Sequence, residues 1–445
     1  MSDTNRNEVI HRQVDIFRSL GCKRILIKHL SENDNSKNQV YFGPNFEILN
    51  LFPNLDIFTD SSSKGTTFKA IFDFSWVSQD GKVSPAPHSK LILYPQYPEV
   101  RFSGFLKGSR YAPSSLMAGR IKDRILVLGI KETGQIFGNV FLKTDSINNE
   151  LITYSNIEQQ GVFEEIPVDE NQKTISTRSI LIEKLVEIYN KGWIHSRRLM
   201  PDGSFVSCNA TNCGGYTLEA ELGITPNGIS EPDYLGWEIK QHAVRNFETN
   251  KGGPITLMTP EPTGGYYVEK GVPDFIRKYG YADLCGRPDR LNFGGVYKAN
   301  KRYERTKLTL VLHGFNTETM KITDASGVLA LITDNDEIAA SWGFAELMRH
   351  WNRKHAKAAY IPSMNRKAPS LQYRFGNIVR LCTGTDFLTL LKAFAIGDVY
   401  YDPGIKLENV STPTPTNKRR SQFRIKTERI PSLYNNADSI NLVEF

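Results

Sequence analysis

The chain has 445 residues, of which 40% are hydrophobic and 23% charged, with five cysteines and a formal net charge of +7 at neutral pH. That length exceeds one ordinary core and implies two domains, while the composition suits soluble globular units. No apolar run is long enough for a membrane span, the polar start MSDTNRNEVIHRQ has no signal-peptide core, and scattered, odd-numbered cysteines fit a reducing cytoplasm better than a disulfide framework.

In chain order, a helix is expected over Glu8 to Leu20. Short apolar runs separated by turn residues then predict strands at Lys23–Lys28, Phe68–Phe74, Lys90–Tyr94, Arg124–Leu128 and Gln135–Leu142. That pattern suggests a small barrel or sandwich. Two polar stretches, Ser31–Gln39 and Pro98–Arg110, read as loops, the usual place for binding groups on a rigid scaffold. Residues 1–163 form the first expected domain, and Glu164 to Arg178, which lacks apolar periodicity, is the expected linker.

The second expected domain, residues 179–445, opens with a helix over Thr177–Asn190, whose apolar stripe is Ile180, Leu181, Leu185 and Ile188. Cys208 and Cys213 could be half of a zinc site, but no second pair follows, so ordinary reduced thiols are expected. A short helix is expected within Gly214–Gly223. Strands follow at Pro254–Thr259, Lys307–His313 and Ala358–Pro362, with helices over Asp336–Lys354 and Gly384–Ala395. This alternation is an α/β or α+β pattern.

The most informative stretch is Glu231-Pro-Asp-Tyr-Leu-Gly-Trp-Glu-Ile-Lys-Gln-His242. Alternation along a strand puts Glu238, Lys240 and His242 on one face, with Trp237, Ile239 and Gln241 on the other. Gly236 lets the backbone bend, so Asp233 and Glu238 can converge on a hard cation such as Mg²⁺, with Lys240 beside it. A metal lowers the pKa of bound water, and an ammonium stabilises charge on a phosphate oxygen. The spacing alone recurs by chance in roughly one chain of this size in ten, so the remaining sequence has to decide.

Positive charge is clustered downstream, at Lys418–Arg420 with Arg424 and Lys426, at Arg349 with Arg353, Lys354 and Lys357, and at Lys298, Lys301, Arg302, Arg305 and Lys307. Each run alone can be a solvated face. Three of them after a phosphodiesterase-like stretch point to a polyanion.

The order Gly192-Trp193, Thr217-Leu-Glu219, Pro232-Asp233, Glu238-Ile-Lys240-Gln-His242 and Ile255–Thr259 resembles the catalytic domain of the MvaI and BcnI restriction endonucleases, and more distantly the mismatch-repair nickase MutH. The resemblance implies an α/β PD-(D/E)XK nuclease fold from about Ile180 to the end. It implies catalytic Glu219, Asp233, Glu238, Lys240 and His242, with Asp233 and Glu238 holding Mg²⁺. By residue type alone Glu221 and Glu231 compete with Glu219 and Asp233. The family's base-reading tail would supply Asp398, Asp402, Arg420, Gln422 and Arg424.

The first segment resembles the EcoRII effector domain, a B3-like DNA-binding pseudobarrel, in Ile27–Asp34, Gln39-Val40 and Leu51-Phe-Pro53. Its two DNA-gripping arms would carry Lys28, Ser31, Asn33, Asp34 and Gln39, then Arg101, Ser103 and Lys107. An effector domain of this kind joined to an MvaI-like domain is a type IIE arrangement. It implies a monomeric, Mg²⁺-dependent double-strand endonuclease of the target CCWGG that binds two DNA sites and acts beside a cognate methyltransferase. The alternatives are a modification-dependent or mismatch-directed nickase, and a sequence-specific DNA-binding protein with an inert nuclease core.

Overall fold

The structure, a computed structural model, describes residues 8–32, 38–62, 65–117, 119, 121–154, 157–168, 176–226 and 232–445. The chain divides into two compact units, Met1–Ile175 and Ser176–Phe445. No helix among the described residues is long and apolar enough to cross a membrane.

In the first unit the strands are β1 (Arg24–Leu30), β2 (Val40–Gly43), β3 (Asp56–Ser62), β4 (Gly65–Ile71), β5 (Phe74–Val77), β6 (Val83–Pro85), β7 (Lys90–Tyr94), β8 (Glu99–Ser103), β9 (Arg124–Ile130), β10 (Ile136–Leu142), β11 (Glu158–Gln160) and β12 (Phe163–Ile166). They form one sheet in the order β11-β12-β1-β9-β10-β5-β6 and another in the order β2-β8-β7-β4-β3. Between the sheets lies an aromatic core in which Phe42 and Phe102 meet Phe74 and Phe163. On its other side the first sheet buries Ile25, Ile27, Ile125 and Val127 against the helices Val9–Ser19 and Asp145–Thr153. Gly129 permits that approach, since a Cβ there would sit 2.6 Å from the Phe17 ring.

Two expectations change here. Pro98–Arg110 is only partly loop, because Val100 and Phe102 are buried and draw Glu99–Ser103 into a strand between β2 and β7. The expected linker also begins too early: Glu164 and Glu165 are polar but lie between buried Phe163 and Ile166, and β12 pairs with β1.

The second unit starts with the helix Thr177–Asn190, capped by the Ser176 hydroxyl; its buried stripe is Leu181, Ile182, Leu185 and Ile188, with Ile182 in place of the expected Ile180. That stripe packs on one face of a sheet whose strands include Glu238–Ala243, Lys357–Arg366, Ile378–Thr383 and Asn436–Asn441. Glu238–Ala243 runs parallel to Lys357–Arg366, and the next two pairings are antiparallel.

Elsewhere in this unit Asp336–Lys354 is not one helix. Asp336 has φ of 60° in a turn closed by the Thr333 N–H on the Glu337 carbonyl, and Ile338–Gly343 returns as a strand against Val328–Ile332. The helix is Phe344–His355, and Trp342 and Trp351 are both buried. Cys208 and Cys213 also depart from expectation. A tight loop brings their Cα atoms to 5.7 Å, within bridging range, and they form a disulfide, so the cysteine argument for a reducing compartment lapses.

The first helix lacks a side-chain cap of its own. Glu150 replaces it from afar, accepting from the N–H groups of Val9 (2.8 Å), Ile10 (2.7 Å) and His11 (3.2 Å) while itself buried. Removing that acceptor orphans three donors at a positive helix end. Glu150→Ala should therefore cost about 2 kcal/mol and lower the unfolding midpoint in calorimetry. The exposed Glu132→Ala should leave the midpoint unchanged, and equal midpoints for the two variants would contradict the capping role.

Candidate active site

The strand Glu238–Ala243 is divided by its two faces as the alternation requires. Trp237 and Ile239 are buried among Leu181, Leu185, Ile361 and Leu381. On the opposite face the Lys240 Nζ lies 2.6 Å from Glu238 Oε1. Leu235 (φ 49°) and Gly236 (φ 82°) form a two-residue turn in which Tyr234 and Trp237 exchange backbone hydrogen bonds of 3.0 and 2.8 Å. Successive positive φ values mark a primed hairpin turn, which suits glycine at its second position. The turn folds Asp233 back beside the strand, where its Oδ2 accepts from the Ile239 N–H at 2.9 Å.

The helix Cys213–Glu221 supplies the third acid, and its two glutamates separate cleanly. Glu221 is buried in ion pairs with Lys191 (2.8 Å) and Arg197, a structural role. Glu219 instead feels the charges of Asp233, Lys240, Glu238 and Lys354; burial first, then Asp233, push its carboxyl up to about 7. Asp233 is pushed up to about 6 by burial and then by Glu238. Glu231 lies outside the described residues.

A further cation enters from the helix Phe344–His355: the Lys354 Nζ is 3.7 Å from Glu238 Oε1. Sequence reading placed Lys354 only in a basic run, because nothing local shows that this helix reaches the carboxylates. Glu238 is 1% exposed, and its Oε2 is buried without a hydrogen-bond partner.

His242 shares the face of Glu238 and Lys240 but lines a cavity with Arg380, and its Nδ1 has no partner. Burial, reinforced by Arg380, lowers its pKa to about 4, so the ring is neutral near pH 7.

The expected base-reading residues are largely engaged within the chain. Arg424 donates to Asp402 at 2.7 Å and to the Pro254 carbonyl, and Asp398 lies 3.4 Å from Arg429. Gln422 is buried and accepts from the Thr256 hydroxyl, whereas Arg420 is exposed.

In the first unit the structure brings together one residue from each expected arm. Lys28 lies 6.0 Å from the Tyr41 ring centroid, and Tyr41 is the strand partner of Arg101. Arg101 is held by Glu99 at 2.9 Å. Ser31 is exposed, and its carbonyl accepts from Arg124. Gln39 and Ser103 are half-buried and Lys107 exposed, while Asn33 and Asp34 lie outside the described residues.

Residues 182–434 match the MvaI/BcnI restriction endonuclease family. Among solved structures, the chain is similar to a complex of restriction endonuclease MvaI with cognate DNA, at 17% identity over 60% of this chain and 99% of that one, with a TM-score of 0.45. It is also similar to MvaI in the absence of DNA, at 19% identity over 60% and 100% of the two chains, with a TM-score of 0.34. No curated protein matches the chain.

The raised acids set a direction for stability against pH. Folded Glu219 keeps a proton that the unfolded chain releases near pH 4.5, so its contribution is full below that pH and is lost as pH rises to about 7. Glu219→Gln cannot ionise. Without divalent ions, the variant's melting temperature should rise relative to wild type from pH 4.5 to about 7 and then level off. A difference that stays constant across this range would rule out the crowded, buried carboxyl.

Proposed function

Since the chain belongs to the MvaI/BcnI restriction endonuclease family, we propose that it is a Mg²⁺-dependent type II endonuclease that hydrolyses phosphodiester bonds of double-stranded DNA at a short specific site, CCWGG. The observation that carries this reading is the convergence of Glu219, Asp233 and Glu238 with Lys240 and Lys354 beside one strand.

The residues fit a metal in one specific respect: Glu238 Oε2 is a buried carboxylate oxygen with no partner, as a site awaiting a cation requires. Among the described residues no three His, Cys, Asp or Glu side chains form a ready cage. Mg²⁺ does not need one, since it keeps several waters and binds through one or two carboxylates. Asp233 and Glu238 are the proposed ligands. Bound there, the ion would supply Lewis acidity and a bound water of lowered pKa.

The chain's own groups do the rest. The hydrogen bond from the Ile239 N–H fixes the Asp233 carboxylate, and the apolar anchor of Trp237 and Ile239 fixes the strand. Lys240 neutralises charge on the phosphate under attack or holds the attacking water, and Lys354 adds a second ammonium on the same carboxylate. Glu219 holds or releases a proton near neutrality beside them. His242, neutral and facing the cavity, assists by position rather than by charge.

Asp398, Asp402, Arg420, Gln422 and Arg424 are proposed to read the target bases, arginine at guanine edges and carboxylates at cytosine. Arg420 is already exposed, whereas Arg424 must leave Asp402 to do so. The first unit is proposed to be a B3-like effector domain that grips a second copy of the site through Lys28, Ser31, Asn33, Asp34, Gln39, Arg101, Ser103 and Lys107. The enzyme acts as a cytoplasmic monomer that cuts two strands in sequence, in a cell whose own DNA is protected by a cognate methyltransferase.

Asp233→Asn and Lys240→Ala should each lower plasmid cleavage in Mg²⁺ by at least about 100-fold and leave duplex binding in a gel-shift assay unchanged. Cleavage at the wild-type rate by either variant would remove the assignment. A separate measurement addresses the effector role: Lys28→Ala with Arg101→Ala should abolish stimulation by added cognate duplex while single-site cutting persists. Undiminished stimulation in that double variant excludes it.

A further inference from the structure

Beyond Lys240 the same face of the sheet continues into a cavity of about 220 Å³, of whose lining the proposed catalytic step uses only His242. Strand register explains how its wall is built. Lys240 pairs with Tyr360, Tyr360 with Arg380, and Arg380 with Ser439, so one row of residues crosses four strands on the catalytic face. His242 stands two residues past Lys240 on its own strand, an advance of about 6.6 Å. Lys251 and Asn250 close the cavity from the following loop.

Two of the residues that line this space carry a buried polar atom without a partner, although Arg380 also donates from its guanidinium to the Thr427 carbonyl at 3.4 Å. His242, 9% exposed, has a buried Nδ1 without a partner, and Arg380 has a buried Nε in the same condition. An arginine Nε–H can only donate, and the tautomer of neutral His242 that carries its proton on Nδ1 donates as well, so an acceptor oxygen suits this wall. Lys251 adds an exposed positive charge at the cavity, whereas the acid at the rim, Glu428, is exposed and within 4.0 Å of Lys426. A buried donor without a partner costs stability until a ligand satisfies it, and an oxyanion is the ligand class that suits Arg380 beside the positive charge of Lys251.

We propose that this cavity is a phosphate subsite, in which Arg380, His242 and Lys251 hold a backbone phosphate of the cleaved strand close to the scissile one. The inference rests on the nuclease reading and adds a binding group to it. The advance of about 6.6 Å along the strand is of the order of the spacing between neighbouring phosphates of one strand, so the phosphate held lies within one or two nucleotides of the scissile one. Arg380 is here a positioning residue: it fixes the register of the strand over Asp233, Glu238 and Lys240 without touching the bond that breaks.

The test is a methylphosphonate scan on the full chain, with binding measured in Ca²⁺ so that duplexes neutral at one phosphate can be compared uncut. Wild type should lose about tenfold in affinity when one phosphate within roughly two nucleotides of the cut is neutral. Arg380→Gln should lose no further affinity at that position while keeping the wild-type losses elsewhere, and its slope of log affinity against log salt should fall by about 0.9. Arg380→Lys should restore part of the effect. Lys251→Ala, an exposed change, supplies the same reading should Arg380→Gln fail to fold.

A wild-type enzyme that cuts plasmid in Mg²⁺ but shows equal losses in wild type and variants at every position overturns the subsite alone. Inorganic phosphate at millimolar concentration that raises the melting temperature in an Arg380-dependent way, with no coupled DNA position, also overturns it and assigns the cavity to a free anion. A wild type that neither binds nor cuts any duplex overturns the nuclease reading and the subsite with it.

Discussion

A carboxylate as buried as Glu238 cannot stand as a bare charge, and the second unit is arranged around that constraint. The Lys240 ammonium at 2.6 Å supplies the near half of the answer, and Lys354 at 3.7 Å supplies a more distant half from another element. Neither contact could form if the strand slipped by one residue, because Glu238 and Lys240 would then turn into the space that Trp237 and Ile239 fill. The apolar face therefore fixes the chemistry of the polar one. Parallel pairing with Lys357–Arg366 fixes the strand from the side, and the hydrogen bond from the Ile239 N–H to Asp233 ties the preceding turn to the same frame.

How much of this could be read in the sequence depends on the range of the interaction. The division of Glu238–His242 into two faces is local, and the structure has it as the alternation requires. So is the helix Thr177–Asn190, although Ile182 rather than Ile180 completes its buried stripe. Choosing between Glu219 and Glu221 is not local: both lie on one short helix, and only the long-range pairs of Glu221 with Lys191 and Arg197 separate them. Lys354 was out of reach for the same reason. The errors at Glu99–Ser103 and Ile338–Gly343 have another source, since charged or small residues there mask a strand whose buried partners lie elsewhere in the chain.

Three arginines outside the carboxylate cluster share a further property. Arg424 rests on Asp402, Arg429 on Asp398, and Arg101 on Glu99. These groups are half-buried or exposed, and such pairs contribute typically below about 1 kcal/mol. An arginine in that position is held in a defined place at little cost, and a phosphate or base edge with better geometry can displace the acid. On the proposed reading, the internal acids would limit indiscriminate attraction of polyanions while leaving these arginines available to a partner that fits.

The same reasoning orders the events at the site. Three carboxyls face two ammoniums, and burial, then the charge of Asp233, push Glu219 up to about 7, so it holds its proton to higher pH than a free carboxyl does. With all three ionised the cluster would carry a net negative charge and repel a phosphodiester. A divalent cation held there, as proposed, would reverse the sign: the proton on Glu219 would become superfluous, and the surplus positive charge would match the single negative charge of a phosphodiester. On the proposed reading, metal uptake, proton release and phosphate binding would be linked through one electrostatic balance, with its open place at Glu238 Oε2, the buried carboxylate oxygen without a partner.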